Sequence, residues 1–556
     1  MKQTYQYDHY WNYAEMEEFL KKMAETYPSL MKLEVLSKTK EGRNIYGVTI
    51  SEGLKEDRPA FYMDGCTHAG EISGSMACVY VIDTLLSSHK EEQVAKLLQN
   101  QVFYFIPRIS PDGTEEYLKT PYSVRSINEI YPPKKDDKGF QAEDLNGDHK
   151  ILMMRRKEPY GAWKKAEGSS FQMVRREADD TEGDFYGVYT EGVIPSFDGV
   201  NIPGMKYRYG MDFNRNFPVC WQPEGLQNGA GDYPLDHTET KTMADFIISH
   251  KNICAVLTMH TSGGVLFYPP GTMPEKKADA GDMKQYHTIS RLADHKLNYP
   301  EFNLFDTFAE DEQNYDAGAF DDWCYLNRGI PAITMEIWNV EVQAGCEMED
   351  LTNHEEDEKK EKEKRLKVEQ WIRANAPEAL MDWQTFEHPQ LGEVEIGGID
   401  HKFTAQNPPA SFLAAELDKI LDFTMRFART LPDLHFSDVK VTKEEDHVYR
   451  LETSLYNRGY LSTWLTNRAK QLKFDRPVTF SLTGCKVLSG DQEVSGLGGF
   501  AAVSSGYGYG SNISTYGENP AVRKLTWIVS GNEGDTVEII AEHEKTGPVA
   551  ATVVLP

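Results

Sequence analysis

The sequence is poor in several features that define whole classes of protein. Basic residues are outnumbered, with 59 Lys and Arg against 87 Asp and Glu, and the formal net charge is -28 at pH 7. A surface with this charge repels phosphate backbones and anionic lipid, so we expect no nucleic-acid partner. No stretch reaches the roughly 18 consecutive apolar residues that span a bilayer, and we expect no membrane partner.

Cysteine is also scarce and is arranged without pairs. The chain has seven cysteines, an odd number, and none belongs to a CxxC motif. This usage is typical of reduced thiols and argues against a disulfide framework. The N-terminus, MKQTYQYDHYWNY, lacks the apolar segment and the cleavage site of a secretory signal. We therefore expect a cytoplasmic protein, and a secreted one is the alternative if a leader precedes the given sequence.

Alternating strand-like and helix-like segments fill most of the chain. Short apolar runs at 59–63, 102–109, 253–259 and 332–337 are joined by polar loops and helix-like stretches. This order predicts an α/β fold with a mixed central sheet flanked by helices. Residues 141–209 are polar, Gly-rich and weakly periodic, which indicates a functional rim or an insertion.

The pattern changes after a helix-like stretch at 412–431. From residue 438 the segments are short, rich in β-formers and separated by turn signals, which predicts a small all-β sandwich. At 556 residues the chain also exceeds the size at which one hydrophobic core keeps growing. We therefore predict two domains, residues 1–437 and 438–556. The charged run at 355–367 predicts an exposed helix without a catalytic role.

Candidate metal ligands follow two of the apolar runs. His68 and Glu71 stand three residues apart in DGCTHAGE, where a turn entering a helix would point both side chains toward one metal. Imidazole and carboxylate are suitable zinc donors, and a catalytic zinc needs three protein ligands with one open position. An HxxE pair alone is weak evidence, so a third ligand is required. His260, which ends the run AVLTMH before a Gly-rich loop, is the best candidate.

Five local motifs occur in order between His68 and Glu336: HAGE, SPDG, MDFNRNFP, LTMHTS and TMEIW, the last preceded by FDDW. In this order they resemble the signatures of the zinc carboxypeptidase A-like family, peptidase family M14. The resemblance implies one Zn²⁺ per chain, bound by His68, Glu71 and His260. It also implies hydrolysis of the C-terminal bond of a peptide substrate with a free terminal carboxylate.

The resemblance implies roles for further residues. Glu336 resembles the general base, and its apolar neighbours would raise its proton affinity. Asn214 and Arg215 match the pair that grips the terminal carboxylate, for which a planar guanidinium is suited. Arg155, in ILMMRRKEP, resembles the arginine that stabilises the oxyanion, and its neighbour Arg156 is a rival for that role.

Other positions fit the family pattern less closely. Tyr315 resembles the mobile tyrosine that closes over substrate, although its spacing to Trp323 is one residue shorter than in the animal digestive enzymes. Gly70 stands where those enzymes carry an arginine. Asp321 either lines the base of the side-chain pocket, where it would favour a C-terminal Lys or Arg, or caps a helix. The run DLNGDH at 144–149 begins like a calcium loop but lacks its glycine, so we predict a turn.

Two other functions use the same residues differently. A zinc amidohydrolase acting on cell-wall peptides or N-acyl amino acids would differ only in the shape of its pocket. A binding protein built on a degraded enzyme fold would not need the complete set of catalytic residue types that the chain contains. The oligomeric state, the preferred terminal residue and the role of the β-sandwich are not predicted by the sequence.

Overall fold

The structure of the chain is a computed structural model. It describes residues 5–132, 139–204, 208–309, 311–352, 358–502, 505–507, 513–515 and 519–556. Among these residues, no helix combines the length and the apolar character needed to cross a membrane.

An eight-stranded sheet forms the centre of the first part of the chain. Its four middle strands are parallel to one another, whereas the outer strands include antiparallel pairs, so the sheet is mixed. The middle strands are buried on both faces, which explains their continuous apolar sequences. In spatial order the eight strands are Met31–Lys38, Asn44–Ile50, Val102–Ile106, Ala60–Gly65, Ile253–Thr261, Ala332–Ile337, Val265–Tyr268 and Glu301–Asn303.

Helices pack against this sheet, and the predicted α/β fold is confirmed. The helix Ile72–Ser87 is apolar on all sides because it lies between the sheet and the helix Ala410–Ala428. The predicted charged helix is observed from residue 358, and residues 355–357 lie outside the described part of the chain. The α-helices are Tyr13–Thr26, Ile72–Ser87, Glu92–Asn100, Pro111–Lys119, Thr238–Ser249, Ala280–Ser290, Leu304–Phe308, Phe320–Asp322, Val340–Gln343, Glu358–Asn375, Ala410–Ala428 and Asn467–Gln471.

The stretch predicted as a rim or insertion contains a second sheet. It has six strands, four from this stretch and two from 380–399, with a small core of its own around Met154 and Ile396. The sequence pattern did not predict this sheet, because its four strands within residues 141–209 have three to five residues each and carry several charges. The six strands are Leu380–His388, Gly392–Ile399, Met153–Lys157, Tyr186–Thr190, Trp163–Lys165 and Met173–Arg175, and Gln141–Ala142 pairs with Gly192–Val193 nearby.

The last part of the chain forms two facing sheets around a shared core that includes Tyr449 and Trp527. Buried and less buried residues alternate along Val448–Asn457, as in a strand with one face in a core. The predicted all-β sandwich is therefore confirmed. One sheet has the strands Leu434–Phe436, Lys440–Glu445, Val448–Asn457, Val522–Ser530 and Lys486–Gly490; the other has Glu493–Val494, Val478–Thr483, Thr536–His543 and Gly547–Val554; Ser505–Tyr507 pairs with Ile513–Thr515.

The two parts of the chain are joined by specific contacts. Asp282 of the first part accepts hydrogen bonds from the backbone N–H groups of Asn467, at 2.7 Å, and of Arg468, at 2.9 Å. The ammonium of Lys545 donates to the carbonyl of Ile253 at 3.0 Å. The Lys545 bond reaches the start of the strand that carries His260, and the Asp282 bonds reach the helix Ala280–Ser290.

Candidate metal site and its cavity

The candidate metal site lies where three neighbouring strands of the central sheet end. The first of these leads into the loop with His68 and Glu71, and the second carries His260 next to its last residue. The third strand runs parallel to the second, in a register that pairs His260 with Glu336. Because the carboxyl ends of parallel strands meet at one edge of a sheet, four side chains from distant parts of the sequence come together there.

The three predicted ligands are buried and face one another. The Nδ1 atom of His68 lies 2.8 Å from one Glu71 oxygen, and Nδ1 of His260 lies 2.9 Å from the other. The two Nδ1 atoms are 3.1 Å apart. Within the described residues, these three side chains are the one group of His, Cys, Asp and Glu residues close enough to hold a metal ion.

This arrangement fits a zinc ion. Zinc–ligand bonds of about 2.0–2.1 Å at tetrahedral angles place neighbouring ligand atoms about 3.3 Å apart, close to the observed distances. Burial would lower the pKa of His260, but Glu71 and Glu336 raise it to about 9, so the surroundings favour positive charge. A divalent cation bound to two nitrogens and a carboxylate would satisfy that preference.

Asp212 fixes the orientation of the first histidine. Nε2 of His68 lies 3.0 Å from the Asp212 carboxylate oxygen, and with the proton on Nε2 this hydrogen bond would leave Nδ1 as the nitrogen that can bind a metal. Such a carboxylate behind a histidine ligand sets its tautomer and its ring orientation. Asp212 also precedes the short 3₁₀ turn Phe213–Arg215, and it accepts from the backbone N–H of Asn214 at 2.8 Å.

Arg125 is the arginine beside the metal ligands. Its guanidinium donates to Asp212 from Nε at 3.0 Å and lies 2.9 Å away through a second nitrogen. It also lies 3.5 Å from the Glu71 carboxylate. Burial would lower the pKa of Arg125, but Asp212 and Glu71 raise it above its ordinary value, so the positive charge is held firmly.

Glu336 lies in the same cavity with an oxygen that has no partner. Its Oε2 is enclosed and accepts no hydrogen bond from the described residues, which is uncommon for a buried carboxylate. Burial first, and then the nearby Glu71 carboxylate, raise the pKa of Glu336 to about 8. The side chain is thus a carboxylate with an elevated proton affinity, and it shares the cavity with the three candidate metal ligands.

The structure also brings Asn214 and Arg215 to this cavity, whose volume is about 590 Å³. The amide nitrogen of Asn214 lies 3.4 Å from Nε2 of His260, and its oxygen accepts from the backbone N–H of Phe320 at 3.1 Å. Arg215 donates to its neighbour's carbonyl at 3.0 Å and to Asp316 at 2.5 Å. The guanidinium of Arg215 and the neutral amide of Asn214 therefore line the same cavity as the candidate metal ligands.

Two adjacent buried carboxylates line another part of the cavity. Asp321 is fully hydrogen bonded, because it accepts from Thr334 at 2.5 Å and from the backbone N–H of Asp322 at 2.8 Å. Asp322 accepts from the backbone N–H of Gly271 at 2.8 Å, and its other oxygen has no hydrogen-bond partner in the part of the chain that the structure describes. Asp321 lines the cavity, as the first of its two predicted positions requires. It does not cap the helix Phe320–Asp322, because Ala319 is the N-cap residue and no described side chain makes a capping bond there. The unpaired acid, however, is its neighbour. Burial raises the pKa of Asp322 to about 8.

Two predicted site residues lie outside this lining. Tyr315 does not line the cavity; its ring packs 6.3 Å from that of Phe305, and the adjacent Asp316 reaches Arg215 instead. Arg155 lies on a strand of the six-stranded sheet, where it donates two hydrogen bonds to Glu395, at 2.8 and 3.2 Å, and one to the sulfur of Met173.

The position of Arg155 corrects the prediction of an oxyanion role for it. Its guanidinium stacks over Trp383 at 4.1 Å, and only 4% of its side chain is exposed. Its rival Arg156 pairs with Glu158 at 3.3 Å in the same sheet and does not line the cavity either. The prediction rested on a short motif, a methionine followed by an arginine. The arginine that fits this motif stabilises the six-stranded sheet instead.

Three residues of the site were missed by sequence reasoning. Asp212 stands next to the predicted pair in MDFNRNF, so a polar residue opening that motif was an available signal. Asp322 is the second acid of FDDW, and nothing in the sequence separates it from the first. Arg125, in SVRSIN, has no distinctive context, because its partner Asp212 is 87 residues away. The predicted turn at 144–149 is observed: Asp144 accepts from two backbone N–H groups within it.

The ligands at the ends of the parallel strands define a candidate metal site, and comparison with known proteins gives the family of the chain. The family model described as zinc carboxypeptidase, peptidase M14, matches residues 16–345. The chain therefore belongs to the peptidase M14 zinc carboxypeptidase family. A second model, for a domain of unknown function, matches residues 433–554.

Individual relatives and solved structures match this chain at low sequence identity. Human carboxypeptidase O is 24% identical over 291 residues, which cover 51% of this chain and 59% of that protein. Carboxypeptidase B of Astacus astacus is 30% identical over 337 residues, covering 59% of this chain and 86% of that protein. The crystal structure of thrombin activatable fibrinolysis inhibitor matches with 16% identity and a TM-score of 0.40, over 66% of this chain and 76% of that one.

Proposed function

We propose that the protein is a zinc-dependent metallocarboxypeptidase that releases the C-terminal residue of peptides. The observation that carries this proposal is the convergence, in one cavity, of His68, Glu71 and His260 with the unpartnered Glu336 carboxylate. The first three residues would hold the zinc ion. When bound, zinc would supply a Lewis acid for water and for the scissile carbonyl. Membership of the M14 family supports the same assignment.

Glu336 would act as the general base. Burial and the Glu71 carboxylate raise its pKa, so it accepts a proton more readily than an exposed carboxylate and can then return it. Its enclosed Oε2 has no competing donor in the described part of the chain, so it is available to the attacking water. The same oxygen would then deliver the proton to the leaving amine.

Arg125 would stabilise the oxyanion, the role predicted for Arg155. Two bonds to Asp212 hold its guanidinium in place, so the charge needs no reorganisation during the reaction. Because Asp212 also bonds to His68, one carboxylate would orient both the metal ligand and the oxyanion donor.

Asn214 and Arg215 would bind the free carboxylate of the substrate. Arg215 keeps donors beyond those that bond to Asp316 and to the backbone, since a guanidinium has five N–H groups. A carboxylate bound there would place the terminal residue within the same cavity as the metal ligands. This geometry supports exopeptidase activity over cleavage inside a chain.

The unpaired oxygen of Asp322 supports a preference for a C-terminal Lys or Arg. Apolar residues including Val265, Phe267 and Leu304 line the same cavity and would contact an aliphatic stem. A cationic tip would then pair with the buried carboxylate, which would offset the desolvation of both charges. Asp321 would support Asp322 from the adjacent position.

A panel of substrates tests the proposal. Peptides with free C-termini, their C-terminal amides, muropeptides and N-acyl amino acids are compared with the purified zinc-loaded protein. We expect cleavage of the free peptides and weak cleavage of the amides. Arg215→Met should raise KM for free peptides by about 10–100-fold, the value of a lost charged hydrogen bond. Arg156→Met, an arginine outside the cavity, is the matched control.

The same panel separates the proposal from the amidohydrolase alternative. Strong cleavage of C-terminal amides would show that the carboxylate is not anchored, and would contradict the role of Arg215. Preference for muropeptides or N-acyl amino acids over every free peptide would favour the amidohydrolase.

A further inference from the structure

We propose that Asn407 is a positioning residue that holds the metal-binding loop in its ligating conformation. This inference rests on the proposed zinc site. Asn407 lies 336 residues after Glu71 in the sequence and beyond the 16–345 match to the zinc carboxypeptidase family. Its side chain is nevertheless fully buried against the loop that carries His68 and Glu71.

The start of the helix after this loop poses a structural problem. The helix Ile72–Ser87 begins directly after Glu71, which occupies the N-cap position and makes no side-chain capping bond. A capping side chain ordinarily accepts from the backbone N–H of the second or third helical residue. The Glu71 carboxylate faces His68 and His260 instead. Ser73, the second helical residue, is completely buried, so water is not available as a substitute.

Asn407 supplies the missing acceptor from a distant segment. Its side-chain oxygen accepts from the backbone N–H of Ser73 at 3.1 Å and from the Ser73 hydroxyl at 2.9 Å. Its amide nitrogen donates to the carbonyl of Gly70 at 2.8 Å. One amide therefore bonds to the backbone on both sides of Glu71. A carboxamide suits this position because it offers a donor and an acceptor side by side.

The segment that carries Asn407 is itself fixed to the site. The carbonyl of Thr404 accepts from the indole of Trp338 at 2.7 Å, two residues after Glu336. Gln406 accepts from the Tyr117 hydroxyl at 2.9 Å. A Cβ atom on Gly70 would lie 2.7 Å from the Tyr117 ring and 3.0 Å from Gln406. This close approach explains the glycine that stands where the animal digestive enzymes carry an arginine.

The expected consequence concerns metal affinity as well as stability. Removing the Asn407 amide would leave the Gly70 carbonyl and the Ser73 N–H buried without these partners, and the loop would relax. Loss of a residue that orients metal ligands ordinarily lowers metal affinity by about 10–100-fold. A purely structural asparagine would lower stability without changing the affinity of the folded protein for zinc.

The test compares Asn407→Ala with Asn457→Ala in the full chain. Asn457 is a matched control because it is also buried and clamps a loop with both ends of its amide, far from the metal ligands. Zinc affinity is measured by competition with a chelator, and thermal unfolding is followed for the metal-free proteins. We expect both variants to lower the melting temperature, and only Asn407→Ala to weaken zinc binding, by about 10–100-fold.

Equal zinc affinities for the wild type and Asn407→Ala would overturn the inference, and so would equal losses for the two alanine variants. If Asn407→Ala does not fold, Asn407→Asp keeps the acceptor for Ser73 but cannot donate to Gly70, and it should still bind zinc more weakly than the wild type. A wild-type protein without zinc affinity would instead contradict the proposed function.

Discussion

Two regions of the molecule place arginines beside acids, and they use them in opposite ways. In the six-stranded sheet, Arg155 is saturated by Glu395 and by stacking on Trp383. In the cavity at the end of the central sheet, Glu336 and Asp322 each keep a buried oxygen that has no hydrogen-bond partner among the residues described. A saturated charge stabilises its surroundings, whereas an unpaired one is available to a ligand.

The two regions also differ in how their buried acids are hydrogen bonded. Glu191, near the six-stranded sheet, is completely buried and has a raised pKa, yet it accepts from the backbone N–H groups of Leu145 and Leu152 at 2.7 and 3.0 Å. Glu336 has a raised pKa too, but without such donors on Oε2. An elevated pKa therefore does not separate these two acids, whereas the hydrogen bonding of their oxygens does.

Replacing Glu336 gives the largest expected effect. Glu336→Gln keeps the shape of the side chain but removes the base, so kcat should fall by about 10²–10⁴-fold while zinc binding persists. Glu191→Gln, the saturated counterpart, should lower stability and leave kcat unchanged. The measurements are kcat on a free peptide and zinc content after dialysis. Activity in the Glu336 variant near that of the wild type would reject the assignment of the base.

Replacing Arg125 of the cavity by methionine gives the next largest expected effect, and Arg155 of the six-stranded sheet is its counterpart. Arg125→Met should lower kcat by about 10²–10³-fold with little change in KM, because it removes an oxyanion donor. Arg155→Met should leave kcat and KM unchanged and lower the free energy of unfolding by about 1–3 kcal/mol. Steady-state kinetics and denaturant unfolding of both variants provide the measurement. The reverse pattern would restore the original prediction for Arg155.

The sequence predicted the parts of the fold that have strong periodicity. The middle strands of the central sheet are continuous apolar runs, and the sandwich strands alternate, so each pattern indicated its own burial. The six-stranded sheet gave no such signal. It pairs strands near 155 with strands near 395, and the residues that contact the buried Arg155 include the distant Trp383 and Glu395.

The site was predictable where neighbours in sequence are neighbours in space. His68 and Glu71, or Asn214 and Arg215, stand together in short motifs, whereas the link from Asp212 to His68 spans 144 residues. Arg125 lies closer in sequence to the ligands but has no motif of its own. Asn407 contacts the ligand loop across 334 residues, at Ser73. Such long-range hydrogen bonds follow from the fold and are not encoded in any local pattern.

The two acids of FDDW provide the finest form of the comparison, since one is saturated and its neighbour is not. Asp322→Asn should lower kcat/KM for peptides ending in Lys by about 10–100-fold relative to peptides ending in Leu, because the cationic tip loses its charged partner. Asp321→Asn should change both substrates alike, since its bonds to Thr334 and to the Asp322 backbone are internal to the protein. The ratio of the two kcat/KM values is the measurement. If that ratio changes in the Asp321 variant alone, the acid that contacts the substrate is Asp321, and hydrogen-bond satisfaction fails as the criterion that separates the two regions.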